Sequence, residues 1–282
     1  MILATVLSAL LASTFARSME RVASMDPAQS RSIYDAHATA LVYEPILAVD
    51  YKARPYRLTD GFCRLPEVSS DGLVYVFRLA HADAPLAAAD VVRSLERLRD
   101  PKLVSPNGWI MKDVDTVVAR DPQTVVVTLK RRCHYFPWLM AMPATGVVGP
   151  DCEGTGPYRL ARWRKNHEMV FTRRPSSAAS SVEGSKSFVA GVPSPAKNGF
   201  DTIRYLVIDD VSTQWLMFLK GEIDFLGEIS RDNWDSIVGA NGCLAPELEA
   251  QGVRLHSIAS LDVLYIGMNM RDPVLGPNRK LR

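Results

Sequence analysis

The chain has 282 residues, 47% of them hydrophobic and 23% charged, which is the ordinary composition of a globular protein. Its 33 lysines and arginines nearly balance 31 aspartates and glutamates, so the net charge of +2 argues against a nucleic-acid-binding protein. An aromatic share of 8% argues against a disordered chain.

The first predicted feature is a signal peptide over residues 1–16, an uncharged apolar stretch that ends in Thr14-Phe15-Ala16. The stretch is short for a membrane span and suits the hydrophobic part of a secretory signal with a small-x-small cleavage site. No Lys or Arg precedes it, so a buried strand or helix remains the alternative. No other segment is long and apolar enough to cross a membrane.

The next elements alternate between helix and strand. Apolar residues at three- and four-residue steps predict a helix over 31–48 whose inner face would carry Ile33, Ala36, Ala40, Tyr43 and Leu47. Alternation after Asp71-Gly72 predicts a strand over 73–79. The spacing of apolar residues predicts a second helix over 87–99.

β-branched residues predict a hairpin with arms 114–119 and 124–129, because Pro122 falls in the turn, where no ladder N–H is lost. A short aromatic helix over 135–142 and strands near 157–163 and 167–173 are predicted to follow.

Residues 175–199 are rich in Ser, Pro and Gly and predict a loop, with an interdomain linker as the alternative. Helices are predicted over 211–220, 230–238 and 246–251, and strands over 202–208, 222–226, 252–258 and 262–269. Because helices and strands interleave throughout, the fold class is α/β or mixed α+β.

The sequence contains no motif typical of an enzyme or a metal site. The five histidines lack metal-ligand spacing, and the four cysteines form no C-x-x-C pair. Gly154-Thr155-Gly156 is not a phosphate loop, because Pro157 has no N–H and an alternating strand pattern follows. We expect free, mostly buried thiols, and a Cys133–Cys152 disulfide stays open.

Gly154-Thr155-Gly156-Pro157-Tyr158 belongs to a series of segments that resemble the family-5 extracellular solute-binding proteins of ABC importers. The seven segments occur in the family's order, at residues 25–29, 41–47, 70–79, 85–95, 154–160, 219–224 and 265–269. Each segment is a weak signal alone, but seven in register are specific.

The resemblance implies a class II periplasmic-binding-protein-like fold. Residues 17–270 would form lobe I, and 271–282 would begin the crossover to a second lobe that this chain lacks. It also implies a periplasmic, non-enzymatic and monomeric substrate-binding component, without a cofactor or metal. The ligand would be a peptide or a similar small solute, passed to membrane permease subunits, and binding by the chain alone is expected to be weak or absent.

By position in the family, the loop after the second helix and the strand 262–269 would line the ligand cleft. Trp109 is the first candidate, since large aromatic side chains give contact area at low entropic cost; packing within lobe I is the alternative. Tyr265 could form a hydrogen bond with a ligand backbone or pack as an aromatic residue of a core strand. Asn269 could bind the ligand or cap the crossing strand. Glu44 and Arg31 are weaker candidates, since such residues are more often surface charges.

Two other functions remain open. The chain could be a non-functional gene fragment, because a cleft that loses one wall loses much of its ligand contact. It could also be a hydrolase without a recognised motif, for which His134 would be the residue to test.

Overall fold

The computed structural model describes residues 13–80, 85–175, 200–227, 229–239, 242–256 and 263–281. The chain divides into two compact units, Met1–Glu228 and Ile229–Arg282. The predicted domain boundaries at residues 16 and 270 stay predictions.

The described part of the first unit contains four helices and ten strands. The helices are α1 (Ile33–Val42), α2 (Ala88–Leu98), α3 (Phe136–Leu139) and α4 (Val211–Leu219). The strands are β1 (Thr14–Met19), β2 (Leu47–Asp50), β3 (Arg57–Asp60), β4 (Glu67–Val68), β5 (Val74–Arg78), β6 (Val114–Asp121), β7 (Thr124–Leu129), β8 (Tyr158–Arg164), β9 (Glu168–Arg173) and β10 (Thr202–Val207). In the second unit, the described helices are α5 (Arg231–Ile237) and α6 (Pro246–Ala250).

The strands of the first unit form three sheets within the described residues. One has the order β1-β10-β9-β8, in which β1 runs parallel to β10 and the other neighbours are antiparallel. A second, fully antiparallel sheet has the order β4-β5-β7-β6. Strands β2 and β3 form a separate antiparallel ribbon. The mixture of sheets and helices confirms the predicted fold class.

The larger of two hydrophobic cores lies between α2 and the β4-β5-β7-β6 sheet. Val91, Leu95 and Leu98 of α2 are buried, as their helical spacing predicts. Phe77 and Val127 face them from the sheet, since alternate residues of a strand point to the same side. The predicted strand 73–79, helix 87–99 and hairpin are therefore confirmed.

The second core lies between α1 and the β1-β10-β9-β8 sheet. Leu41 and Val42 of α1 are buried in this cluster with Tyr158, Phe171 and Tyr205 of the sheet. The predicted strands at 157–163, 167–173 and 202–208 are thus confirmed, and together they form the floor against which α1 packs.

The predicted helix 31–48 was wrong in two respects: where the helix ends and which of its faces is buried. The helix ends at Val42, since Tyr43 is already extended; Pro45 disfavours helical geometry at Glu44, and 47–50 pair as β2 instead. Ile33 is 63% exposed, since Ala38 and Leu41 turn toward the sheet in its place.

Several predicted strands are also absent from the described residues. Residues 222–226 form only an isolated bridge between Phe225 and Arg17 of β1, where Asp224 N donates to Ala16 O. Described residues 252–256 and 263–269 contain no strand, and the latter are exposed. A strand needs partners for its backbone groups, and no pairing to these ranges is present in the described chain.

Two further predictions fall mainly on residues outside the described ranges. Most of the predicted signal peptide, residues 1–12, and residues 176–199 of the predicted loop lie outside them. The signal peptide stays a prediction; the described end of that span, Thr14–Ala16, belongs to β1.

Cys133 and Cys152 are not joined by a disulfide in the structure. Cys63 and Cys133 are buried, whereas Cys152 and Cys243 are exposed. Burial raises the pKa of the Cys63 thiol to about 12, which keeps it protonated and unreactive at neutral pH.

The predicted turn Gly154-Thr155-Gly156 packs directly against the last residues of α1. Gly156 N donates to the Val42 carbonyl over 2.9 Å. A Cβ on Gly156 would lie 2.6 Å from the Val42 carbonyl carbon and 2.7 Å from the Leu41 oxygen, and a Cβ on Gly154 would collide with the Val42 oxygen. Both positions therefore require glycine for space.

Replacing Gly156 with alanine is expected to lower the free energy of unfolding by about 2–3 kcal/mol, because helix backbone must shift to admit the methyl group. Chemical denaturation of the full chain measures the loss. Gly227→Ala is the matched control, since its Cβ would have ordinary contacts of 3.5 Å and longer. Equal stability of both variants would contradict the close-approach argument.

Candidate functional site

Two loops of the first unit that are distant in sequence lie side by side. The segment 26–31 precedes α1, and the segment 103–111 follows α2. Asn107 Nδ2 donates to Ser30 O over 2.8 Å, and Gln29 Nε2 donates to Leu103 O over 2.7 Å. These reciprocal side-chain bonds hold the two segments side by side.

Trp109 lies on a 3₁₀ turn, Gly108–Met111, within the second of these segments. Ile110 and Met111 are buried in the larger core and anchor the turn, whereas the Trp109 side chain is 53% exposed. About half of the Trp109 side chain is thus covered and half is open to solvent. The arrangement presents a large aromatic surface to solvent from a fixed backbone, and its role as a ligand contact stays a prediction.

Arg31 and Glu44 flank α1 at its two ends. Arg31 is exposed and directly follows Ser30, so it lies on the segment tied to the Trp109 loop. Glu44 is half-buried after the end of α1, where its carbonyl accepts from Val147 N over 2.9 Å. Arg31 and Trp109 thus occupy adjoining segments, and binding by either charged residue stays a prediction.

Tyr265 and Asn269 belong to the second unit. Tyr265 is 81% exposed and lies in no strand, so packing within a strand is excluded for it. Asn269 Oδ1 accepts from Arg271 N over 3.1 Å, which makes a local side-chain turn of the capping kind. Their contacts with a ligand also stay predictions.

Asp35, which the sequence argument did not single out, organises the start of α1 beside the predicted site. Its fully buried carboxylate accepts from Ala23 N at 2.7 Å and from Arg31 N at 2.9 Å. It also completes a capping box with Ser32. Ser32-x-x-Asp35 was the available signal, since this spacing is typical of helix starts. Asp35 therefore positions the backbone of Arg31.

A second feature that sequence reasoning missed is the buried cation Arg17 of β1. Its guanidinium carbon lies 5.2 Å from the Phe225 ring centroid and 5.9 Å from that of Tyr205, within cation–π range. Burial lowers the pKa of Arg17. Because arginine remains charged even so, Arg17 adds a positive potential to this core.

His37 of α1 lies within the field of Arg17. Burial, followed by the charge of Arg17, lowers the pKa of His37 to about 4. The Nδ1 atom of His37 has no hydrogen-bond partner among the described residues. The imidazole is therefore neutral near pH 7, and protonating it would place a second cation in a poorly solvated site.

Neither a metal cluster nor a membrane-spanning helix occurs in the parts of the chain that the structure describes. No group of three or more His, Cys, Asp or Glu side chains there could hold a metal ion. No helix there has the length and apolar character needed to cross a bilayer.

A fold of the periplasmic-binding-protein type is shown by comparison with solved structures. OppA of Burkholderia pseudomallei matches with a TM-score of 0.66 and 22% identity, over 80% of this chain and 48% of that protein. The murein tripeptide binding protein MppA of Escherichia coli matches with a TM-score of 0.67 and 20% identity, over 80% of this chain and 48% of MppA. These similarities confirm the predicted periplasmic-binding-protein-like fold.

The family is shown by the sequence itself. The sequence model of the bacterial extracellular solute-binding proteins, family 5 Middle, matches residues 42–282, so the chain belongs to this family. The glutathione-binding protein GsiB of Escherichia coli K12 is 24% identical over 218 residues, which are 71% of this chain and 39% of GsiB. The chain thus spans less than half the length of this relative. Proteins of this family bind solutes and are not enzymes, as predicted.

The low pKa of His37 predicts that acid destabilises the protein. The unfolded chain binds a proton near pH 6.5, whereas folded His37 does not until about pH 4. The contribution of His37 to the free energy of unfolding is therefore fully present above pH 6.5 and falls as the pH is lowered from 6.5 to about 4. Between about pH 7 and pH 5 the free energy of unfolding should fall by about 2 kcal/mol. Urea titrations of wild type and His37→Gln at both pH values measure the difference.

The variant His37→Gln should lose this part of the pH dependence. His134→Gln is the matched control, because His134 is exposed, and it should keep the wild-type dependence. A pH dependence that is unchanged in His37→Gln would contradict the burial argument.

Proposed function

We propose that this chain is part of the substrate-binding component of an ABC importer, and that its ligand is a short peptide or a similar small solute. The family membership supports a solute-binding role. The relatives support a peptide in particular, since GsiB is named for glutathione and MppA for a murein tripeptide. Both ligands are short peptides.

The exposed Trp109 on its anchored turn is the observation that carries the proposed site. Aromatic side chains bury much ligand area while losing few rotamers, and binding pockets are typically lined by them. Its backbone is fixed by buried Ile110 and Met111 and by the Asn107–Ser30 hydrogen bond. A fixed turn adds little ordering cost when a ligand arrives.

Charged residues would complete the contact with a peptide. Arg31 could pair with a carboxylate of the ligand and Glu44 with its ammonium group, because charge-assisted bonds fix orientation. For the second unit, considered by itself, Tyr265 and Asn269 are proposed as polar ligand contacts. The residues nominated from the sequence therefore supply both the apolar and the charged groups that a short peptide requires.

Binding by this chain alone is proposed to be weak. It spans 39% of the length of GsiB, and part of a binding protein offers a ligand fewer contacts than the whole. We further propose that the protein is a periplasmic monomer that works with membrane permease subunits, as an importer of this kind requires.

Titration of the full chain with glutathione and with a murein tripeptide tests the proposal. Saturable binding with a dissociation constant of roughly millimolar is expected for at least one of them, since part of a binding protein offers fewer ligand contacts than the whole. Trp109→Ala should weaken binding about tenfold, because truncating a central aromatic contact costs on the order of 1–2 kcal/mol. Isothermal titration calorimetry or ligand-observed NMR measures both.

Trp138→Ala is the matched control for this experiment. Trp138 lies on α3 of the same unit and is 42% exposed, but it does not belong to the predicted site. Equal weakening by both substitutions, or no binding of either peptide to the wild type, would contradict the proposal. In the second case the chain would be a fragment without function of its own.

A further inference from the structure

One face of the β1-β10-β9-β8 sheet carries an unusual set of arginines. In antiparallel pairing, residues opposite each other point to the same side of a sheet. Arg162 lies opposite Val170, which lies opposite Arg204, and Arg164 lies opposite Glu168. Phe171 and Tyr205 of the same strands pack against α1 on one face of the sheet. The arginines and Glu168 alternate with them and therefore share the opposite face, which is turned away from α1.

Glu168 is the centre of this arginine cluster. Its carboxylate is 2% exposed and pairs with three guanidinium groups. The distances are 2.7 Å to Arg162, 2.9 Å to Arg164 and 3.1 Å to Arg204. The hydrogen bond from Arg204, with the charges of Arg162 and Arg164, lowers the pKa of Glu168, so it stays ionised at neutral pH. One buried anion thus holds three half-exposed cations in place.

Arg159 extends the same face along β8. It lies opposite Thr172, and its Nε donates to Thr172 Oγ1 over 3.1 Å. The charged side chains that the register places on this face of β8, β9 and β10 are four arginines and one glutamate, a net charge of +3. Since the whole chain carries +2, the remaining residues together carry a net charge of −1.

We infer that this basic sheet face, formed by Arg159, Arg162, Arg164 and Arg204 around Glu168, is a docking surface for an acidic protein segment. A guanidinium has five donors in a planar fork, and the hydrogen bonds of Arg162, Arg204 and Arg159 on this face each come from one nitrogen, so donors remain for a partner's carboxylates. Because Glu168 and Thr172 already hold the arginines, little side-chain entropy is lost on docking.

The composition of the face favours a protein over a membrane as the partner. Proteins that bind at a bilayer surface combine basic residues with large apolar side chains that enter the interface. Between the arginines, the register places Val170, Thr172, Thr202 and Leu206 on this face, all of them partly buried, and no aromatic residue. The attraction is thus electrostatic, and the complementary partner carries carboxylates.

A labelled oligoglutamate peptide serves as the probe, and its fluorescence anisotropy on titration with the full chain measures binding. The test variant combines Arg159→Ala with Arg162→Ala, which leaves Glu168 paired with Arg164 and Arg204. The matched control combines Arg57→Ala with Arg120→Ala, two exposed arginines of other sheets, so the net charge changes equally. Thermal melts establish that both variants fold.

At low salt the test variant should bind the probe about fivefold more weakly than wild type, and the control less than about twofold, because charge pairs contribute only near the site. The difference should shrink as salt screens the charges. Equal losses in both variants would overturn the inference. So would arginine-dependent binding to phosphatidylglycerol vesicles in preference to the peptide, or a dimer of the chain that only the test variant disrupts.

Discussion

The contact between two glycines and the end of α1 is the constraint on which the rest of the first unit depends. Gly154 and Gly156 approach the backbone of Leu41 and Val42 so closely that no side chain fits between them. This approach lets Gly156 N satisfy the Val42 carbonyl, one of the acceptors that a helix end leaves open. Helix and turn are therefore joined through backbone.

That junction connects the two hydrophobic cores. Val42 and Tyr43 pack in the smaller core, whereas Ile46 and Leu47, a few residues on, belong to the larger one. Tyr43 also donates its hydroxyl to the Cys152 carbonyl over 2.9 Å, and burial raises its pKa to about 12, which keeps it a donor. The end of α1 thus lies where the two cores meet, with neighbouring residues packed in each.

Much of the local structure was predictable from sequence. The alternation in 73–79, the β-branched arms around Pro122 and the spacing of Val91, Leu95 and Leu98 identified their elements, because each pattern reflects burial on one face. The exposed Trp109 was nominated from its position in the family alone. The helix predicted over 31–48 was too long, because its apolar spacing continued into residues that pair as β2.

The sequence by itself determined the fold class, the family and most element types, since periodicity and short motifs are local properties of the chain. Only the tertiary structure decided which face of α1 is buried and that Asp35 holds the segment before it. It alone placed Arg17 beside His37 and gathered three arginines around Glu168. Some of these contacts, such as Arg17 with His37 and Arg204 with Glu168, join residues distant in sequence, and the charges and pKa values depend on burial and strand register, which no local pattern contains.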